Sequence, residues 1–427
     1  MTDAAIAVPL PDRTSGRHGH LAERFDNAGF VALVAMAGAV QFSIAIAQIL
    51  LTVVVICWLG VLVARHERIT VPNFFWPLVA YGGATLVSAA LSSDPRTSLI
   101  DCKQLVLFLI VPLTYRFIGG AARDRAATTH GGGAPGRDEG RRRAANLITF
   151  LISCAAVSAV IGIVQYAILH FDTMGRRPQG TLGHYMTYSG LLMLVIGVAT
   201  ARVLFGKGER TWAALVLPAL AVAVALTETR SAWVGVCATV ALLMILKDFR
   251  LLAVLPIVAA VFFAVAPSMV TKRFLSIFDL KDATSRDRVA MLHIGERMVE
   301  AHPITGVGPN MVERLYGDYR ATSLPPDLVN DPAVKKINPH LHDVPVQIAA
   351  ERGLPALGLW LWFVVALVVD LMRRFLTGGD GRFLAAAALA AVTAMLTAGL
   401  FEYNFGDSEF LMLLLVLVTL PAAAARN

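Results

Sequence analysis

Charged side chains are scarce in this chain of 427 residues, because Asp, Glu, Lys and Arg together make up only 16% of it while 56% is hydrophobic. Soluble globular domains carry about 25% charged residues. The mean hydropathy of +0.65 points the same way. The shortage of charge excludes an ordinary soluble globule and predicts a polytopic membrane protein.

Cysteine is also scarce, with four residues in all. Cys57, Cys102, Cys154 and Cys237 lie in or beside apolar runs, and no two of them form a C-x-x-C pair. The sequence therefore indicates neither a zinc site nor a disulfide framework, and we interpret all four as small apolar side chains. Neither a G-x-x-x-x-G-K-[ST] loop nor an H-E-x-x-H helix occurs, which argues against P-loop nucleotide chemistry and zinc-protease chemistry.

The N-terminal region lacks the apolar stretch of a secretory signal peptide. Residues 1–27 are polar and include Arg13, Arg17 and Arg24. We predict that this segment is not a removable signal and forms a cytoplasmic tail.

Apolar runs of spanning length fill most of the remaining chain. A membrane-spanning helix needs about 20 mainly apolar residues. Twelve segments qualify as candidates, so we predict an all-α polytopic membrane protein with about 12 transmembrane helices. They are residues 28–41, 44–64, 72–91, 99–118, 145–170, 185–205, 211–226, 231–246, 251–266, 344–371, 383–400 and 409–424. The first and seventh are short for a full span, and a re-entrant hairpin is the alternative to the first two.

Arginine and lysine alternate between rich and poor connections along the chain. The rich connections are 65–68, 116–143, 202–210, 247–250 and 373–382. The positive-inside rule makes them cytoplasmic, together with both termini. We therefore expect a protein of the bacterial inner membrane in which the long polar segment 268–343 lies on the outer, periplasmic face.

This topology divides the chain into four parts. A cytoplasmic tail at 1–27 precedes nine helices at 28–267, which are interrupted by a flexible, glycine-rich cytoplasmic linker at 119–144. The periplasmic segment 268–343 follows, and three helices and a short cytoplasmic end occupy 344–427.

Short helices are predicted inside the periplasmic segment. Ser285 is the expected N-cap of a helix that runs to about His302 and is ended by Pro303. After a glycine-rich turn, Asn310 is expected to cap a second helix that reaches about Tyr319.

The formal net charge of +7 does not predict nucleic-acid binding, because the arginines cluster in short loops, where they act as topology signals. Charged residues inside the apolar segments are few. This argues against an ion-coupled transporter with a relay of charges across the bilayer. A lipid or polysaccharide transporter remains a distant alternative.

Arginines in three outer turns are candidate ligands for a diphosphate. Guanidinium groups match phosphate oxygens in a bidentate fork. Arg230 is the only cation in its turn, and Arg177 lies in another. Arg286 and Arg288 open the first outer helix, and residues two apart do not share a helix face, so Asp287 is expected to pair with whichever arginine points away. Contact with lipid headgroups or plain surface exposure is the alternative for each arginine.

Two histidines, His340 and His342, immediately precede the tenth helix. Imidazole titrates near neutral pH and can take a proton from a hydroxyl as a general base. Asp343 is expected to orient it or support it electrostatically. His-x-His alone is a weak metal signal, so no metal cofactor is predicted. A packing or surface role is the alternative for both histidines.

Short motifs in this chain resemble those of bacterial O-antigen ligases. The segments 229–233 (TRSAW), 302–309 (HPITGVGP) and 177–182 (RPQGTL) resemble the T-R-S-x-W, h-P-l-x-G-v-G-p and R-x-x-G-t-f turns of that superfamily. Arg288 resembles the arginine of its R-x-x-x-W motif, and His342 with Gly353 resembles H-[NSQ]-x9-G-x-x-G. The resemblance spans roughly residues 177–358. The chain departs from it at Asp343 in place of Asn, Ser or Gln, at Ala356 in place of Gly, and at Leu292 in place of Trp.

The resemblance implies a GT-C-like membrane glycosyltransferase. Its donor would be O-antigen linked to undecaprenyl diphosphate, its acceptor a sugar hydroxyl of lipid A-core, and its surroundings membrane lipids. His342 would be the general base, Arg230 and Arg288 the diphosphate ligands, and Arg177 a third cation. The register favours His342 over His340 and Arg288 over Arg286. An O-antigen polymerase or a protein O-oligosaccharyltransferase is the alternative.

Overall fold

A computed structural model gives the architecture for residues 13–120, 135–173, 175–266, 268–276, 279, 282–379 and 381–426. Over these ranges the chain is helical and contains no strand, apart from one isolated bridge between Thr173 and Arg176. Residues 1–12 of the predicted tail and 121–134 of the predicted linker lie outside the described residues. The prediction of an all-α polytopic membrane protein is confirmed.

Seventeen α-helices follow one another along the described residues. In the first half they are α1 Arg13–Ala39, α2 Ile44–Arg65, α3 Phe75–Ala90, α4 Pro95–Asp101, α5 Ile110–Gly119, α6 Pro135–Ala167, α7 Tyr185–Phe205, α8 Arg210–Leu226 and α9 Arg230–Lys247. In the second half they are α10 Leu255–Val265, α11 Ser268–Leu275, α12 Ala283–Ala301, α13 Val312–Ser323, α14 Pro326–Val329, α15 Val344–Leu376, α16 Arg382–Gly399 and α17 Ser408–Ala424. Three 3₁₀ turns, at Cys102–Leu109, Phe249–Val254 and Asn404–Gly406, connect some of them.

Every predicted span coincides with helical structure, but the lengths differ. Among the described residues, 7 helical stretches are long and apolar enough to cross a membrane. They are Ile44–Arg65, Pro95–Gly119, Asp138–Ala167, Tyr185–Phe205, Arg230–Lys247, Val344–Leu376 and Arg382–Gly399. Four apolar helices are shorter, namely Phe75–Ala90, Arg210–Leu226, Phe249–Val265 and Ser408–Ala424.

The first predicted segment was wrong in length. Helix α1 has 27 residues, because much of the polar stretch before residue 28 is helical too. It is joined to α2 by the tight turn at 40–43, and the Ser43 side chain accepts a hydrogen bond from the Ile46 N–H to cap α2. The fourth segment starts earlier than predicted, since Asp94 caps α4 and Pro95 occupies its first turn.

A buried ion cluster ties three helices together near the start of α6. Asp26 of α1 accepts hydrogen bonds from Arg116 of α5 at 2.7 Å and from Arg143 of α6 at 3.1 Å. Arg116 also contacts Glu67 through Nε at 2.6 Å. Both arginines were read from the sequence as loop charges, yet each is less than 10% exposed. Burial with a carboxylate partner makes them structural contacts between helices.

Helix α17 is buried along almost its whole length, and α7 and α16 are buried almost as fully. A helix that is apolar all round belongs at the centre of a bundle. These three helices therefore form the middle of the scaffold, and they place the 3₁₀ turn before α17 beside the polar segment.

The caps of the polar segment differ from those predicted. Asp282, not Ser285, caps α12, because its carboxylate accepts the Thr284 N–H. The second helix predicted in the polar segment, α13, begins at Val312 after Met311, whereas Asn310 adopts a left-handed backbone with φ of 59°. Its N–H is bonded to the Glu351 carboxylate.

The turn at 303–308 is laid directly on α15. The N–H groups of Val307 and Leu354 donate to the carbonyl oxygens of Ala350 and Pro303 at 2.9 and 2.8 Å. α15 breaks here, since Gly353 has φ of 82° and ψ of 168°. A Cβ at Gly353 would come within 2.0 Å of the Ile304 carbonyl oxygen. The backbone approach therefore requires glycine and fixes the polar segment to the bundle.

Candidate active site

Arg230 starts α9 at the turn that follows α8. Its side chain is 6% exposed, and its Nη2 donates to Asp282 Oδ1 at 2.7 Å. Trp233, one turn later, donates through its indole N–H to the Val224 carbonyl oxygen and stacks on Phe274. The turn is therefore locked, and it points Arg230 at the start of α12. The Thr229 hydroxyl donates to the Thr227 carbonyl oxygen.

The two arginines of α12 point in different directions, as their spacing predicted. Arg288 is half-buried and lies 5.8 Å from the ring centre of Phe401. Arg286 instead pairs with Asp331 and donates to the Asp327 carbonyl oxygen. Only Arg288 of the two lines the cavities described below.

Asp287 does not pair with either neighbouring arginine, contrary to expectation. Its carboxylate accepts the Lys335 N–H at 2.9 Å and an amide N–H of Asn338 at 3.3 Å. The helix turns this side chain inward, where it holds the loop before α15. Asp287 is therefore part of the packing that carries the histidines.

His342 sits on a constrained loop. Its backbone is left-handed, with φ of 51°. On one side the Leu341 N–H donates to the Gln347 side chain at 2.6 Å, and on the other Asp343 caps α15 by accepting the Val346 N–H at 2.9 Å. These two bonds hold the backbone of His342 in a left-handed conformation that residues other than glycine rarely adopt.

A carboxylate faces His342, but it belongs to Glu402 and not to Asp343. Glu402 Oε2 lies 3.4 Å from His342 Nδ1, and both side chains are 19% exposed. Asp343 is instead committed to its helix cap. Glu402 was not predicted from the sequence, because it lies in the short connection between α16 and α17, far along the chain from any motif. The one available signal was an acidic residue in an otherwise apolar region.

Four arginines line one cavity of about 300 Å³, which we call the arginine cavity. They are Arg177, Arg230, Arg273 and Arg288. Arg177 lies with its guanidinium 4.3 Å from the ring centre of Tyr185. Arg273, on α11, was not singled out in the sequence. The cavity thus collects cations from four separate elements.

The electrostatics of the arginine cavity are those of an anion site. Burial lowers the pKa of Arg273, and the charges of Arg230 and Arg177 lower it further. Burial also lowers the pKa of Arg288, an effect that Glu402 opposes and Arg230 reinforces. Crowded guanidinium groups with little water around them are stabilised by an incoming anion.

Resident carboxylates partly balance these cations. Burial raises the pKa of Asp282, but the hydrogen bond and charge of Arg230 outweigh it and hold the pKa below its ordinary value. Glu228, in the turn before α9, has its pKa raised by burial, against the charges of Arg177 and Arg273. Asp282 therefore balances part of the charge of Arg230 through one guanidinium nitrogen, Nη2.

A second cavity, of about 410 Å³, also has His342 in its lining, and we call it the large cavity. Its polar lining includes His184, Asn338, His340, Glu402 and Asp407. The His340 ring lies 5.4 Å from the Tyr403 ring. Burial and the charge of His342 lower the pKa of His340, so His340 is neutral near pH 7.

A third, mainly apolar cavity of about 220 Å³ adjoins the first two, and we call it the apolar cavity. Val289, Leu292, Leu400 and Phe401 line it, and each of these side chains is at least 37% exposed. Arg230, Arg288 and His342 lie at its polar end. His342 is thus the residue at which all three cavities meet.

Within the described ranges, no group of three or more His, Cys, Asp or Glu side chains is placed to hold a metal ion.

Residues 213–361 match the family model of the O-antigen ligases. The match covers about a third of the chain and supports membership in the O-antigen ligase/polymerase superfamily. No curated protein matches the chain. The match suggests a glycosyltransferase-like membrane enzyme that acts on lipid-linked polysaccharides.

The matched stretch contains Arg230, Arg273, Arg288 and His342. Arg177 and Glu402 lie outside it. Folding therefore completes the site with residues from both sides of the family region, which explains why the motif register alone did not find Glu402.

Proposed function

We propose that the protein is an O-antigen ligase. It transfers the O-antigen glycan from undecaprenyl diphosphate to a sugar hydroxyl of lipid A-core on the periplasmic face of the inner membrane. The observation that carries this proposal is the position of His342, which lies between a cavity lined by arginines and a second polar cavity. A diphosphate leaving group and a hydroxyl acceptor need such neighbouring environments.

The proposed chemistry is a direct displacement with inversion. His342 takes the proton of the acceptor hydroxyl, and the hydroxyl oxygen forms a bond to the anomeric carbon of the donor glycan. The bond from that carbon to the diphosphate oxygen breaks, and its electron pair leaves with the diphosphate. Arg230 and Arg288 stabilise the charge that develops there, with Arg177 and Arg273 close enough to contribute. Because cationic side chains supply this stabilisation, the proposal requires no metal.

Glu402 completes the base in this scheme. When His342 accepts a proton it becomes positively charged, and a carboxylate 3.4 Å from its Nδ1 stabilises that charge. Glu402 also opposes the burial that lowers the pKa of Arg288. One carboxylate therefore supports the base and the diphosphate ligand together.

The apolar cavity supports a lipid-linked donor. Its exposed apolar side chains lie within α12 and just after the end of α16, in the same lining as Arg230 and Arg288. A polyprenyl chain leaving the diphosphate in this direction would remain on apolar surface until it reached the bilayer. Leu292, which stands where the family motif has Trp, is one of these side chains.

The decisive experiment is reconstitution of the purified protein in liposomes with lipid-linked O-antigen and lipid A-core. We expect a covalent product that carries glycan on lipid A-core, and no product from the His342→Ala protein although its unfolding temperature is unchanged. Retention of transfer in that variant would contradict the base role.

The same experiment separates the superfamily's other activities. An O-antigen polymerase would lengthen the glycan on its own lipid and would ignore lipid A-core, and a protein O-oligosaccharyltransferase would require a polypeptide acceptor. A transporter would move the donor lipid without covalent change, and it would tolerate loss of His342.

A further inference from the structure

We propose that the large cavity is the binding site of the acceptor sugar, an uncharged ring held by its hydroxyl groups. This assignment rests on the proposed function and extends it, since it names the residues that select the acceptor. It divides the site at His342, with the donor diphosphate in the arginine cavity and the acceptor ring opposite.

The arginine cavity has more cationic side chains than carboxylates in its lining, whereas the large cavity has more carboxylates than lysines and arginines. The arginine cavity collects four guanidinium groups. In the large cavity the carboxylates of Glu402 and Asp407 outnumber the one lysine, Lys335, which also borders the arginine cavity. A diphosphate would be repelled by Glu402 and Asp407, whereas a neutral sugar would donate hydroxyl protons to them.

Two buried amides add acceptors that lack a donor among the described residues. Asn404 is 6% exposed and Asn338 1% exposed, and both line the large cavity. The Nδ2 group of Asn404 donates to the Met395 carbonyl oxygen, and that of Asn338 donates to the Tyr316 hydroxyl. Each Oδ1 accepts no hydrogen bond from a described residue. Both residues belong to the polar lining of the large cavity, which suits a ligand held by its hydroxyl groups.

An aromatic surface stands at the edge of the same cavity. The rings of His184 and Tyr185 are stacked, with centroids 5.4 Å apart and an interplanar angle of 23°. Both residues line the large cavity, and Tyr185 also borders the arginine cavity. The C–H-rich face of a pyranose packs well on such a surface while its hydroxyls reach polar groups. A volume of about 410 Å³ also lies within the range of small-molecule sites, about 300–1,000 Å³.

The test measures KM separately for each substrate in the reconstituted reaction, with purified lipid A-core as acceptor and lipid-linked O-antigen as donor. His184→Ala removes an exposed ring that makes no helix-capping bond. We expect about a tenfold higher KM for lipid A-core, the equivalent of one or two lost contacts, and an unchanged KM for the donor. Asn404→Leu should act in the same direction, with its unfolding temperature measured to confirm folding.

Two further variants serve as controls. His293→Ala changes an exposed histidine of α12 that lines none of the three cavities, so neither KM should change. Arg273→Gln, in the arginine cavity, should raise the donor KM and leave the acceptor KM unchanged. If His184→Ala and Asn404→Leu raise only the donor KM, the cavity holds the donor glycan and the proposal is overturned. Unchanged values for both substrates overturn it as well.

A binding measurement separates this inference from the proposed function. The free core oligosaccharide, without lipid or donor, is titrated into wild-type and His184→Ala protein. Weaker binding by the variant supports the acceptor site, whether or not transfer is detected. If binding weakens and no transfer is detected with the wild-type protein, only the proposed ligase reaction is contradicted. Equal binding by the two proteins counts against the acceptor site.

Discussion

Glu402 and His342 approach each other across the site, with 3.4 Å between Oε2 and Nδ1. Each comes from a connection next to a helix of the scaffold, α16 for Glu402 and α15 for His342. The contact joins His342, which lies inside the matched family region, to Glu402, which lies beyond that region along the chain. A base held in this way depends on the packing of α15 against α16 as well as on its own loop.

We expect Glu402→Gln to lower kcat about 10- to 100-fold while changing the KM of either substrate less than threefold. The amide keeps the shape but does not stabilise an imidazolium, so the loss falls on the proton-transfer step. Initial rates of glycan transfer at varied donor and acceptor concentrations measure it. Asp343→Asn should cause a smaller loss, because asparagine also caps a helix. If Asp343→Asn lowers kcat more than Glu402→Gln does, the carboxylate that supports His342 is that of Asp343.

Arg288→Lys is expected to lower kcat/KM for the donor about 10- to 100-fold. Lysine retains the charge but lacks the fork that binds two phosphate oxygens. The measurement is the rate of transfer at limiting donor concentration. Arg286→Lys is the matched control two residues away, since Arg286 contacts Asp331 and Asp327 outside the cavities. Equal behaviour of the two variants would argue against a bidentate diphosphate ligand.

The sequence predicted the helices far better than the site. Apolar runs locate spans such as Tyr185–Phe205 because the signal is local and about 20 residues long. The spacing of Arg286 and Arg288 also predicted that the two side chains leave their helix in different directions, while the choice of Arg288 came from the family resemblance. Glu402 and Arg273 could not be found in this way, because their roles arise only when distant connections meet.

Caps were predicted less well than spans for a related reason. Ser285 and Asp282 are both capping residue types, and only the local backbone decides which accepts the first free N–H. Arg116 and Arg143 illustrate the opposite error. Their position beside a glycine-rich stretch suggested loop charges. In the structure both side chains are buried and donate hydrogen bonds to Asp26, about 90 residues before Arg116.

Gly353→Ala is predicted to destabilise the protein by several kcal/mol and to abolish transfer. Alanine at φ of 82° and ψ of 168° is strained, and its Cβ would lie within 2.0 Å of the Ile304 carbonyl oxygen. Thermal unfolding in detergent measures the first effect and the transfer assay the second. Gly358→Ala is the matched control on the same helix, because a Cβ there meets no atom within 4 Å. Similar unfolding temperatures for the two variants would contradict this account.

Transfer is expected to continue undiminished in EDTA. The proposed mechanism stabilises the leaving diphosphate with guanidinium groups, so chelation of divalent cations removes nothing that the reaction uses. The reconstituted assay is run with and without EDTA, and with added Mg²⁺ as a further comparison. Loss of activity in EDTA that Mg²⁺ restores would show that the arginine cavity alone does not neutralise the diphosphate.

Asp26→Ala tests the buried ion cluster at the start of α6. The substitution leaves Arg116 and Arg143 buried without the carboxylate they share. Breaking a buried pair costs about 3–5 kcal/mol. We expect about 3 kcal/mol, because Arg116 keeps Glu67 and Arg143 keeps Glu139 at 3.2 Å. The unfolding temperature in detergent should fall accordingly.

Asp138→Ala provides the comparison, since the Asp138 side chain is 84% exposed and its pairing with Arg141 is worth at most about 1 kcal/mol. Equal losses from the two substitutions would mean that the cluster does not hold α1, α5 and α6 together.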